Sequence, residues 1–127
     1  MKISQEAITA THQIRDYGDG FLLLQLADGQ TQRLTGNFLL GSETLQMQSP
    51  NIQNTLNVDD GRNFLADYNF DVLIVIVDEQ INKNMAELML SFRRAGIAAE
   101  IMSLGPACRT FNLLLAEGRK PLIWANL

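Results

Sequence analysis

Between residues 105 and 121 the chain reads GPACRTFNLLLAEGRKP, and three side chains there could do chemistry. Cys108 offers a nucleophile, Arg109 a guanidinium able to hold an anion, and Asn112 an amide that both donates and accepts. A thiol reacts as its thiolate, and the first turn of a helix favours that form through unpaired N–H groups and the helix dipole. Pro106 suits a first turn and Gly118 suits the residue past a helix end, so a helix is expected over 106–117 with Cys108 in its first turn. On that reading Cys108 attacks, amides of the same turn hold the oxyanion and Arg109 holds an anionic substrate. The competing reading is a packed helix whose polar groups are satisfied locally, since free cysteine usually behaves as a small buried hydrophobe.

The catalytic reading lacks a base. His12 is the sole histidine and falls on an expected strand at the far end of the sequence, while Asp78 and Glu79 would raise the thiol pKa if they came close. Asn112 is unfavourable inside a helix, which leaves two accounts of it. Either its amide satisfies backbone groups of a neighbouring loop, with the 17–20 turn as the candidate, or it lines a partner-facing groove with Arg109. Glu117 is expected to pair locally, and Arg119 follows the helix end, where a cation is favoured.

The elements that must position these residues follow from the hydrophobic pattern. FDVLIVIVD, residues 70–78, is a continuous β-branched run of the kind covered on both faces of a sheet. From Asn82 a helix is expected, with Met85, Leu88, Met89 and Phe92 on one face and Gly96 as its terminator. That Met-bearing face reads as core rather than as an interaction groove. IAAEIM (97–102) and PLIWAN (121–126) supply two more strands, so residues 71–126 form a βαβαβ unit with parallel neighbours and right-handed crossovers. Whether Trp124 is core or an exposed anchor stays open.

The first half is β-rich. FLLLQLADGQTQRL reads as strands over 21–27 and 30–35 joined at Asp28-Gly29, with positive φ expected at both turn positions. YGDG (17–20) marks a turn after a strand over 12–15, a short strand is expected near 43–48 ending at Pro50, and SPNIQNTLN (49–57) reads as an irregular connection. Asp59 or Asp60 is placed to cap a short helix running to about Tyr68. The expected fold is α/β: a single three-layer domain over 1–127, a mixed sheet with a β-rich amino-terminal half and the carboxy-terminal βαβαβ unit.

Composition excludes several classes. At 127 residues there is room for one real core, and 46% hydrophobic against 19% charged residues is a globular balance. Ten basic against fourteen acidic residues give −4, which argues against a sequence-independent grip on nucleic acid. No apolar run is long enough to span a bilayer, so no membrane insertion is expected, and a start without a hydrophobic run or Arg-rich presequence places the chain in the cytoplasm by default. One cysteine and one histidine leave neither an internal disulfide nor a Cys- or His-based metal site. No nucleotide-binding glycine motif occurs, no cofactor is expected, and Gly105 before a helix is only a weak anion signal.

One stretch carries a resemblance. GIAAEIMSLGPACRTFNLLLAEGR, residues 96–119, is similar to the carboxy-terminal signature of the Mth-type domain family, which includes the mitochondrial NADH:ubiquinone oxidoreductase (complex I) assembly factor three and the adipogenesis-associated Mth-type domain protein. The match rests on Ala107, Thr110, Phe111, Asn112, Glu117, Gly118 and Arg119, preceded by Gly96, Ile97 and Glu100. FDVLIVIV and YGDGFLLL stand where that family has its central strand and first hairpin. Two features depart from it: Asp78-Glu79-Gln80 replaces the usual Gly-rich turn, and QMQSPN keeps a proline without the accompanying aromatic. The resemblance implies a three-layer α/β domain without an established catalytic activity and, in the mitochondrial relative, a role in assembling a respiratory complex. The expected function is therefore binding of an unidentified protein partner, with Ser103, Gly105, Cys108, Arg109 and Asn112 as the candidate surface. The alternative is a small-molecule-binding or thiol-dependent enzyme using the crevice around Cys108.

Overall fold

The computed structural model describes residues 12–49, 63, 65–77 and 83–127. Within them the chain forms β1 (Gln13–Gly18), β2 (Phe21–Gln25), β3 (Thr31–Leu34), β4 (Asn37–Leu40), β5 (Leu45–Met47) and β6 (Val72–Val77), then α1 (Lys83–Arg94), β7 (Ala99–Met102), α2 (Leu104–Ala116) and β8 (Pro121–Asn126). The connection over 50–57, most of the helix expected from Asp59 or Asp60, and the Asp78-Glu79-Gln80 turn lie outside the described residues.

β6, β7 and β8 are parallel, with β6 in the middle, and β4 joins β8 antiparallel and carries β5 on its outer side, giving the order β5-β4-β8-β6-β7. The chain leaves β6 for β7 on one side and then returns across β6 to β8 on the other. Two right-handed crossovers that travel in opposite directions must put their helices on opposite faces. The side chains of β6 bear this out. Leu73 and Val75 pack with Met85, Leu88, Met89 and Phe92 of α1, and Ile74 and Ile76 pack with Ala107, Cys108 and Phe111 of α2.

The four apolar residues expected on α1 are thus buried, each contributing roughly 1.5–3 kcal/mol. Gly96 closes α1 as expected: its N–H donates to the Arg93 carbonyl at 3.0 Å and that of Ile97 to the Phe92 carbonyl at 2.9 Å, the paired bonds of a Schellman motif. Trp124, left open by the sequence, is core on the α1 face.

β1, β2 and β3 form a separate antiparallel sheet. Leu22, Leu24 and Leu34 point from it into the core shared with α2 and the large sheet, so it covers one face rather than extending the edge. β1 runs three residues past the expected 12–15 and takes in Tyr17 and Gly18, with a bulge at Arg15 between the pairs Ile14–Leu24 and Asp16–Leu23. The hairpin expected at Asp28-Gly29 is present, but its turn differs. Gly29 N–H donates to the Leu26 carbonyl at 2.9 Å and only Gly29, at φ 90, is left-handed, so the loop is a three-residue turn. Asp28 stays at negative φ because its carboxylate accepts the Gln30 N–H at 2.9 Å and holds the turn from outside.

β4 is the element the pattern did not give. Its four residues sit between Gly36 and Gly41, too short a run to show a period, yet Phe38, Leu39 and Leu40 are fully buried against β8. The strand expected near 43–48 is the shorter β5, ended by Gln48 in a left-handed conformation.

Candidate functional site

α2 begins two residues earlier than Pro106 suggested. Ser103 is its N-cap, in extended conformation at φ −73 and ψ 167, and the first intrahelical bond runs from Ala107 N–H to the Ser103 carbonyl at 3.0 Å. Pro106 still falls in the first turn, where a missing N–H costs nothing. Leu104 and Gly105 are then the residues whose backbone donors lack intrahelical acceptors, while Cys108 moves into the second turn.

That shift removes the basis for a reactive thiol. Cys108 is 2% exposed and sits among Ala107, Phe111 and the apolar side chains of β1, β2 and β6. Burial pushes its pKa up from 9.0 to about 11, and the neighbouring Arg109 guanidinium, which pulls the other way, only partly offsets this. His12 lies elsewhere: its Nδ1 pairs with the Gly41 carbonyl at 2.9 Å and its N–H donates to the Ser42 carbonyl, both at the opposite end of β1 from Tyr17. The five residue steps between them span about 16 Å of strand.

Asn112 is fully occupied. Its Oδ1 accepts the Ile14 N–H at 2.9 Å and its Nδ2 donates to the Ile14 carbonyl at 2.8 Å, so the amide mimics a neighbouring strand along the free edge of β1. This is the local-satisfaction account, with β1 as the partner in place of the 17–20 turn. Contact with that turn does exist, one helical turn nearer the amino end of α2. There Arg109 Nη1 donates to the Tyr17 hydroxyl at 3.0 Å, and a Cβ on Gly105 would stand 2.9 Å from the Tyr17 hydroxyl and 3.2 Å from its ring.

These contacts frame a cavity of about 350 Å³. It is lined by the Tyr17–Gly20 turn, by Ile76 and Val77 at the end of β6, by Ser103–Gly105 after β7 and by Leu127 after β8. All three parallel strands deliver their carboxyl ends here, which is where open α/β sheets hold ligands. The positive end of α2 faces the cavity with the Ser103 hydroxyl, which makes no capping bond, and Asp19 is the one charged side chain among the described lining residues.

Of the residues the sequence singled out, Ser103 and Gly105 line the cavity, Arg109 holds Tyr17 at its rim, and Cys108 and Asn112 face elsewhere. Tyr17 and Asp19 were missed. YGDG reads as a turn, and only the docking of the small sheet on α2 brings that turn to the strand ends. Arg119 follows the end of α2 as expected and also pairs with Asp71, 3.7 Å away before β6, while Glu117 is exposed, with its backbone closing α2. Among the described residues there is no group of three metal-ligating side chains and no helix long and apolar enough to cross a membrane.

A family model described as a protein of unknown function (DUF498/DUF598) matches residues 14–125, which includes every strand and helix given above apart from single terminal residues. The chain belongs to this family. Solved structures share the DUF498/DUF598 chain's fold. A Xanthomonas campestris protein is 21% identical, with 99% of this chain and 92% of that one covered at a TM-score of 0.67. A Rhodopseudomonas palustris protein is 19% identical, with 88% and 82% covered at 0.58. A Bordetella pertussis protein described as a Mth938-like domain is 16% identical, with 93% and 87% covered at 0.57. The last supports the Mth-type resemblance at the level of the domain. No curated protein matches the sequence.

Proposed function

We propose that this DUF498/DUF598 domain works by binding a protein partner at the crevice between the Tyr17–Gly20 turn and the start of α2, without covalent chemistry at its thiol. The observation that carries the reading is the separation of the two features: the cavity opens at the strand ends, while Cys108 is packed behind it with its pKa raised to about 11. The rim has the composition of an interaction surface. Tyr17, which lines the cavity, is 39% exposed and held by Arg109. Tyr and Arg are the side chains most enriched among residues that dominate binding energy. The resemblance to the complex I assembly factor supports an accessory role of the same general kind.

The test is affinity capture from the native cell with wild type and an Arg109→Glu variant. Loss of one or more specific partners by the variant is the expected result. Equal recovery of every partner by both proteins would remove this surface from consideration.

A second reading has its own support. A volume of about 350 Å³ falls at the lower end of small-molecule pockets, which run from about 300 to 1,000 Å³. Mass spectrometry of the gently purified protein distinguishes the two: a stoichiometric small molecule that is lost on Gly105→Phe substitution would favour a ligand over a protein.

A further inference from the structure

We draw no further inference here: the strongest candidate, the buried side chains of Asn126 at the carboxyl end of β8 and of Ser49 beside Asn37, whose amide and hydroxyl atoms have no hydrogen-bond partner among the described residues, carries no proposal because nothing in the structure shows a ligand that would reach them.

Discussion

Cys108 and Asn112 show how far residue type underdetermines role. Both are polar or reactive groups on one helix, and both are spent on the interior. For Cys108 the consequence is a pH dependence. The folded thiol titrates near 11 and the unfolded one near 9.0, so above pH 9 the unfolded state sheds its proton first. Stability from this group is complete below pH 9 and declines as pH rises from 9 through 11. Cys108→Ala is expected to flatten that decline in denaturant titrations at pH 8, 9 and 10. Native protein is expected to resist iodoacetamide at pH 8 and to react once unfolded, as read by mass spectrometry; rapid native labelling would restore the thiol to the crevice. Asn112 makes a sharper prediction. Asn112→Ala strands the Ile14 N–H and carbonyl, at a cost of about 2–4 kcal/mol in chemical denaturation. Asn112→Asp is nearly isosteric but has no donor for the Ile14 carbonyl, so it is expected to destabilise as well, with loss of hydrogen-exchange protection at Ile14. An Asp variant as stable as wild type would mean that the clamp contributes little.

At the scale of elements, α2 is shaped by two close approaches. Its first two turns lie against Tyr17 near the end of β1 and its third against Ile14 near the start of that strand, and the small size of Gly105 permits the first of these. A methyl group there meets the Tyr17 ring at 3.2 Å, and because Tyr17 is partly exposed it has room to swing away. Gly105→Ala is therefore expected to cost less than about 1 kcal/mol while breaking the Arg109–Tyr17 bond and reshaping the cavity. NMR shifts of the Tyr17 ring protons and of Asp19 and Arg109, beyond those at residue 105 and its chain neighbours, would show this; an unchanged ring environment would contradict it. β7 illustrates a different device. It is an edge of the large sheet, and Arg93 guards it by donating from Nε to the Ala99 carbonyl at 2.9 Å and by pairing with Glu100 at 3.5 Å. An ion pair that exposed adds little stability, but charge along an edge strand discourages pairing with another chain.

On the scale of the whole molecule, the large sheet has a separate apolar cluster on each face, one sealed by α1 and the other by α2 with the small sheet. Trp124 reports on the first and Cys108 on the second. If residues 1–127 fold as the single domain we propose, tryptophan fluorescence and thiol exposure should give the same midpoint in a denaturant titration. Two separated midpoints would show that the faces unfold independently.

The carboxy-terminal βαβαβ unit was legible in the sequence because its central strand and its helices are long enough to show their period: a continuous run for β6, a four-residue apolar stripe for α1, glycines where the helices stop. The small sheet and its hairpin were legible as local turn chemistry. β4 was not, since four buried residues between two glycines carry no period and owe their conformation to β8. The site divides in the same way. Ser103, Gly105 and Arg109 could be placed because strand order alone fixes which end of a parallel sheet gathers loops. The inward turn of Cys108, the grip of Asn112 on Ile14 and the arrival of Tyr17 at the crevice were decided by tertiary packing, because each depends on a partner about a hundred residues away or on the other side of the core, and no local pattern encodes such a contact.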